Sequence, residues 1–218
     1  MRTGTAAIML VAAVPVAAQP VQQPGVQFKA RSAAVRPAAC VAANDEVTSL
    51  RLGKDRQGNP TRIDVARAVE IGNANYTMCR SDGGFIIAFS IARIDLSANP
   101  KYSKPTIRTS LFKAALSDLD SLRISVNNGL SDRYEIFSIL TLIYYDTRQY
   151  EKSIAVSRES DRFARQMLAT SRQKVLITRG MAESQLGQSA AAAQSFDLAS
   201  KAGHPQAAAI KRRMLGVK

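Results

Sequence analysis

Few side chains in this sequence have the types and spacing that catalysis requires. His204 is the only histidine, and it directly precedes Pro205 near the end of the chain. A Ser-His-Asp relay would have to form around this one residue. Asp118 and Asp120 are paired carboxylates, but acids on amphipathic helices are usually solvated, and nothing else marks a glycosidase cleft. We therefore predict no catalytic residues, and a hydrolase is the less favoured alternative.

The sequence also gives no indication of a metal or cofactor site. Two cysteines and one histidine cannot complete a four-ligand zinc shell without carboxylates. The sequence has neither a phosphate-binding glycine loop nor a His-Glu-x-x-His motif, and Ser81 to Gly84 is interpreted as a turn. We expect no metal and no cofactor.

Cys40 and Cys79 are the only cysteines, and we predict that they form a disulfide, because export to an oxidising compartment favours one. Closing a loop of about 40 residues would destabilise the unfolded chain by roughly 4 kcal/mol on the entropic model. The alternative is two unrelated buried thiols.

The N-terminus has the three parts of a secretory signal peptide. Arg2 precedes an apolar run from Ala6 to Val14, and Val16 to Ala18 is typical of a cleavage site. The run is much shorter than the ~20 apolar residues that a membrane span needs. We expect cleavage after Ala18, a secreted or periplasmic mature protein, and no transmembrane segment in it.

The charge of the chain favours anionic partners. Its formal net charge is +13, which promotes association with acidic proteins, lipid head groups or acidic polymers. Basic and acidic residues are interleaved over residues 148–174, as on a solvated helical surface. Because an exported chain without a recognisable nucleic-acid-binding module is a poor candidate for that role, we expect no nucleic-acid partner.

The first part of the mature chain is predicted to hold a leader and a small subdomain. Residues 19–39 are rich in Ala, Gln and Pro and are predicted to be a flexible leader. Residues 40–98 are predicted to form an N-terminal subdomain of mixed or helical type. Ile63, Val65, Val69 and Ile71 alternate as in a half-buried strand, but residues 63–70 also fit a helix, and the alternatives stay open.

Residues 106–218 are predicted to form a helical domain. After a connector over residues 99–105, apolar residues recur three or four positions apart. The pattern predicts helices over residues 107–126, from 131 or 132 to about 146, 149–167, 172–186 and 189–201. A last helix is predicted to start at Pro205 and to cap the domain with a polar face.

Two helical hairpins in this domain carry small and aromatic residues at related positions. In the first these are Phe137, Leu140, Tyr144 and Tyr150, and in the second Leu176, Gly180, Gly187, Ala192, Phe196 and Ala199, with Pro205 after them. This pattern resembles the tetratricopeptide repeat, a 34-residue helix-turn-helix unit. The resemblance covers roughly residues 131–204 and implies a mainly α, short α-solenoid architecture.

Departures from the repeat pattern leave an ordinary antiparallel helical bundle as the alternative. Arg179 and Glu183 stand where the family has Leu and Tyr, and Ser153, Ser157 and Ser160 replace Ala, an aromatic residue and Ala. The two units are offset by 39 residues, which implies a lengthened helix or loop over residues 161–170.

The resemblance implies that the first helix of each hairpin faces a concave groove that receives a partner segment. The groove residues would be Glu135, Ser138, Leu142, Tyr145 and Asp146 from the first unit and Lys174, Ile177, Met181, Ser184 and Gln185 from the second. Tyr145 and Met181 would be the anchors. The expected function is a non-catalytic protein-interaction or scaffold module of the periplasm or cell envelope, and the alternative is binding of an anionic envelope polymer or lipid through the basic surface.

Overall fold

The computed structural model describes residues 36–55, 57–99 and 105–216, and the regular structure in these ranges is helical. The helices are α1 (Ala38–Leu52), α2 (Val65–Cys79), α3 (Gly83–Ala98), α4 (Pro105–Asn127), α5 (Ile136–Asp146), α6 (Tyr150–Ser160), α7 (Ala169–Gln185), α8 (Ser189–Lys201) and α9 (Ala207–Leu215). The predicted mainly α class is confirmed for these residues. The predicted signal peptide, the leader as far as residue 35 and residues 100–104 of the connector lie outside them.

The chain divides into two compact units, α1 to α3 and α4 to α9. In the first unit the three helices pack pairwise. Residues 65–71, for which the sequence left strand and helix open, belong to helix α2. The Asp64 side chain caps the start of this helix, because it accepts a hydrogen bond from the Arg67 N–H at 3.0 Å. Val69 and Ile71 are then buried on that helix.

Close packing and a disulfide hold the first unit together. Gly72 of α2 lies against the fully buried ring of Phe89 of α3, and a Cβ built on this glycine would be 2.0 Å from the ring. The predicted disulfide is present: Cys40 and Cys79 are bonded, with Cα atoms 5.4 Å apart. It joins the first turn of α1 to the last residue of α2.

In the second unit two hairpins, α5–α6 and α7–α8, pack together. Helix α5 contacts α6 and α7, while α7 also contacts α6, α8 and α9. Helix α4 packs against α5 through a face that buries Ala115, Leu119, Leu122 and Val126.

The turns of the two hairpins have the same hydrogen bonds, 39 residues apart. In the α5–α6 turn (residues 147–149) the N–H groups of Arg148 and Gln149 donate to Tyr145 O and Tyr144 O, at 2.9 and 2.8 Å. In the α7–α8 turn (residues 186–188) the equivalent bonds are 3.1 and 2.9 Å long. Both are Schellman turns, which place one residue in the left-handed region. That residue is Arg148 in the first turn and Gly187 in the second.

The connection between the hairpins is a loop, one of the two alternatives predicted for residues 161–170, but the predicted end of the helix before it is wrong. Helix α6 ends at Ser160 instead of continuing to residue 167, and a single 3₁₀ turn follows at Asp161–Phe163. The Phe163 ring packs on Phe137, with ring centroids 5.4 Å apart. This contact between distant residues holds the 3₁₀ turn against α5. Helix α7 then begins at Ala169, before the predicted residue 172, and α9 begins at Ala207, just after the predicted start.

Candidate partner-binding face

Three of the predicted groove residues form one stripe on α5. Ser138, Leu142 and Tyr145 recur at intervals of four and three residues and are all half-buried, as one side of a helix requires. The opposite side of α5 is buried and includes Phe137 and Leu140. We call Ser138, Leu142 and Tyr145 the α5 stripe. The remaining two predicted residues flank it, since Glu135 is half-buried and Asp146 is exposed.

The predicted groove residues of α7 differ in their exposure. Met181 and Ser184 are half-buried, whereas Lys174 and Gln185 are exposed. Ile177 is buried and belongs to a hydrophobic cluster with Leu176 and Phe196, among others. Its side chain therefore contributes mainly to the core, and Met181 and Ser184 are the α7 residues best placed to touch a partner.

Helix α9 covers part of the α7 surface. Its apolar residues Ile210, Met214 and Leu215 pack against the cluster that contains Ile177, and Met181 packs there as well. The Ser184 hydroxyl donates to the carbonyl oxygen of Met214 at 3.3 Å. The apolar spacing of α9 predicted a cap. It did not show that the cap would contact these α7 residues, because that contact joins distant parts of the chain.

Tyr145 has a second ring beside it. The centroids of the Tyr145 and Tyr150 rings are 5.6 Å apart and the rings are tilted by 53°. Tyr145 lies before the α5–α6 turn and Tyr150 directly after it, so the two rings meet beside the turn. Burial raises the pKa of Tyr145, the neighbouring Tyr150 and Asp146 raise it further, and the positive charge of Arg213 opposes them. Desolvation by neighbouring atoms also raises the pKa of Asp146, although this residue is largely exposed to solvent. Arg213 of α9 therefore lies within electrostatic range of the α5 stripe.

The hidden side of α5 is fixed by a polar network with α4 and α6. The Tyr144 hydroxyl donates to Asp120 at 2.9 Å, and Arg123 binds both Asp120 and Glu159, at 3.0 and 2.6 Å. Burial and the Asp120 carboxylate raise the pKa of Tyr144 to about 12. Asp120 therefore links α4 to α5 through Tyr144.

A second polar network explains two of the departures from the repeat pattern. Arg179 and Glu183 are buried on α7, and Ser195 of α8 joins them, accepting from Arg179 at 3.1 Å and donating to Glu183 at 2.7 Å. Arg179 also binds Asp161 in the 3₁₀ turn at 2.7 Å. The network links the connection between the hairpins to α7 and α8.

His204 and the possible metal ligands are the remaining residues whose types could support chemistry. The Nδ1 atom of His204 accepts from the Gln206 N–H at 3.2 Å, next to the start of α9, and burial lowers the pKa of this histidine. Within residues 36–55, 57–99 and 105–216, no group of three or more His, Cys, Asp or Glu side chains is placed to hold a metal ion.

Two surface clefts lie away from the predicted groove residues. One of about 500 Å³ lies between α1 and the loop after it, with Asp45, Glu46 and Asp55 in its wall. The other, of about 420 Å³, lies between α8 and α9 and is lined by Asp197 and Lys211, among others; these two form an ion pair at 2.8 Å.

Comparison of the chain with protein-family models, curated proteins and solved structures finds no match. None of the helices in the described ranges combines the length and apolar character needed to cross a membrane. The function must therefore be inferred from the residues and their contacts.

Proposed function

We propose that this protein is a non-catalytic interaction or scaffold module of the periplasm or cell envelope, which binds a segment of a partner protein across α5 and α7. One observation carries the proposal. Helices α5 and α7 pack side by side, and each presents half-buried apolar side chains beside its buried face, namely Leu142, Tyr145 and Met181. Such a surface gives a partner segment apolar contact area next to polar groups.

Several contacts that a tetratricopeptide-like arrangement of the hairpins would require support this proposal. The two hairpins have equivalent turns 39 residues apart, and Phe196 of α8 packs on Gly180 of α7, as the small and aromatic positions of the repeat require. In the second hairpin Leu176, Ala192 and Ala199 are buried. In this arrangement the first helices of the hairpins, α5 and α7, line the concave face.

Tyr145 and Met181 are suited to bind a partner segment through apolar contacts. Tyr145 is aromatic and braced by Tyr150, so little side-chain freedom is lost when a partner packs on it. Met181 has a flexible thioether that adapts to irregular apolar surfaces. The Tyr144 and Arg179 networks hold the hairpins in place, which preorganises the face.

The proposed location rests on the signal-like N-terminus and on the disulfide. Residues 1–18 have the composition of a secretory signal, and Cys40 and Cys79 are bonded. Structural disulfides persist in oxidising compartments and are rare in the cytosol. Both observations favour an exported protein.

Affinity capture from envelope extract, with washes at low and high salt and mass spectrometry, tests the proposal. The purified protein is compared with Tyr145→Ala and Met181→Ala, and with the control Leu198→Ala, which removes an apolar side chain that is 41% exposed on α8. We expect a discrete protein to be retained at high salt by the wild type and the control and to be lost from the two face variants. Equal retention by all four proteins would rule out the face.

Binding of an anionic envelope polymer is the second candidate. Among the described residues of the second unit, the side chains of several exposed cations make no ion pair or hydrogen bond: Arg165, Arg172, Lys174, Lys201, Arg212 and Arg213. They are spread over α7, α8, α9 and the connection before α7. Binding through such a surface should weaken steeply as salt rises, whereas apolar recognition by Tyr145 and Met181 should depend little on salt.

A further inference from the structure

The left-handed residue of the α5–α6 turn is unusual. Arg148 has φ 60° and is the one non-glycine residue with positive φ in the part of the chain that the structure describes. The equivalent residue of the α7–α8 turn is Gly187, with φ 71°. Glycine adopts this conformation without strain, whereas an arginine Cβ is crowded against the backbone. The α5–α6 turn therefore has an arginine at the position where the α7–α8 turn has glycine, the residue that this conformation favours.

Nothing in the described structure offsets this strain. Arg148 is exposed, and its guanidinium makes no hydrogen bond or ion pair with the described residues, although Asp146 and Glu151 are close in sequence. The backbone N–H bond to Tyr145 would form equally well with glycine. A strained residue without an internal partner is typical of a site that meets something outside the fold.

The surroundings of the turn favour a partner with both apolar and acidic groups. Tyr145 precedes the turn and Tyr150 follows it, with their rings 5.6 Å apart. The exposed Arg213 of α9 acts on Tyr145 electrostatically. Tyrosine rings offer apolar contact area, and a guanidinium with all its donors unused is suited to a carboxylate, which it can bind with two parallel hydrogen bonds.

The charge balance of the second unit points to an anionic partner. Residues 105–216 contain 16 Lys and Arg against 10 Asp and Glu. Six of these acids, Asp120, Glu135, Glu159, Asp161, Glu183 and Asp197, are in ion pairs within the unit. The unpaired charge at the surface is therefore mainly cationic, and a carboxylate brought by a partner would meet little repulsion overall.

We propose that the α5–α6 turn is a recognition site for an acidic, apolar-containing segment of a partner protein, with Arg148 binding a carboxylate beside the Tyr145–Tyr150 ring pair. This rests on the proposed function, because the α5 stripe ends at Tyr145 and the same segment would continue along it. A protein segment fits this site better than a polysaccharide does. A long anionic polymer would need a row of cations along its length, whereas the turn offers one strained arginine close in sequence to two tyrosines.

Fluorescence anisotropy with the full-length protein tests the proposal. The probes are a labelled synthetic peptide that alternates glutamate with leucine and tyrosine, its glutamine counterpart, and dextran sulfate. The variants are Arg148→Gly and Arg148→Asn, because glycine has no Cβ and asparagine tolerates the left-handed conformation. Arg165→Gly is the matched control, because Arg165 is an exposed arginine in another loop and makes no ion pair with the described residues.

We expect the glutamate peptide to bind the wild type and the control, and both Arg148 variants to bind it about tenfold more weakly, the usual cost of losing one charge-assisted hydrogen bond. The same Arg148→Gly variant should melt at a higher temperature than the wild type, because the strain is gone. Weaker binding by a more stable protein separates recognition from misfolding.

Other outcomes overturn the proposal in distinguishable ways. Equal binding of the glutamate and glutamine peptides, with loss on Tyr145→Ala, would refute the acidic class and leave the proposed function standing. An Arg148→Gly protein that binds like Arg165→Gly would refute the site. If neither peptide binds while dextran sulfate binds the wild type and Arg148→Gly equally, the proposal and the peptide-binding function both fail.

Discussion

The Phe196 ring lies where a side chain on Gly180 would begin. A Cβ built on Gly180 would be 2.7 Å from Cε1 of Phe196 and 2.8 Å from Cδ1, and the ring is only 1% exposed. Helices α7 and α8 can therefore approach this closely only while residue 180 has no side chain.

Gly180→Ala should destabilise the protein. Alanine gains about 1 kcal/mol in helix propensity, but its Cβ would overlap the buried Phe196 ring, and overpacking of this kind costs about 1–3 kcal/mol. We expect a lower thermal midpoint by circular dichroism. Ser200→Ala, at an exposed position of α8, is the control and should melt like the wild type. A Gly180→Ala midpoint at or above the wild-type value would show that the ring adjusts.

Loss of the disulfide should destabilise the first unit selectively. Replacing Cys40 and Cys79 by serine removes a cross-link that closes a loop with a sequence separation of 39, and such losses typically cost 2–5 kcal/mol. Hydrogen exchange followed by mass spectrometry should show lost protection in α1, α2 and α3 and retained protection in α5 to α8. Uniform loss over both units would contradict a selective effect on the first unit.

The Tyr144–Asp120 hydrogen bond should make stability depend on alkaline pH. The folded state raises the pKa of Tyr144 from 10.0 to about 12, so its stabilising contribution is complete below pH 10 and is lost as pH rises towards 12. Tyr144→Phe should cost about 1 kcal/mol at neutral pH and flatten the decline of the thermal midpoint in this window. Tyr134→Phe is the control, since the Tyr134 hydroxyl makes no hydrogen bond with the described residues. An unchanged pH profile in Tyr144→Phe would refute the assignment.

Removing Arg179 alone should lower the free energy of unfolding more than removing Arg179 and Glu183 together. Arg179→Leu removes the hydrogen bond that Arg179 donates to Ser195 and leaves Glu183, whose side chain is 3% exposed, with Ser195 and with Arg158 at 3.6 Å. Breaking part of a buried charged network costs about 3–5 kcal/mol. The double variant with Glu183→Leu should recover most of that loss in urea unfolding, because no buried charge remains on α7. Arg158→Leu, at a side chain that is 61% exposed, should cost under about 1 kcal/mol. Additive single and double effects would contradict the coupling.

Local signals in the sequence predicted much of the second unit. The bounds Ser189–Lys201 for α8 and the turn at Gly187 follow from apolar spacing and from the left-handed preference of glycine. The strand-or-helix ambiguity of residues 63–71 had a local answer as well. Asp64 is an N-cap, but its signal is weak beside the alternation of Val65, Val69 and Ile71.

Contacts between distant residues account for what the sequence could not predict. The end of α6 depends on Phe163 packing on Phe137, and the partial covering of α7 depends on Ile210 and Met214 of α9. Neither contact produces a periodic pattern in its own segment. The residues of the α5 stripe, in contrast, were named in advance, because the resemblance to the tetratricopeptide repeat implies which side of the first helix faces a partner.

The disulfide also determines how the first unit responds to mechanical force. A pull along the chain would enter at Cys40, cross to Cys79 through the sulfur atoms and bypass the α1–α2 hairpin between them. At about 3.4 Å per extended residue, roughly 130 Å of chain would be unavailable for stretching. An oxidised molecule tethered at its two ends would therefore keep this hairpin free of tension, and a reduced one would let it unravel under load.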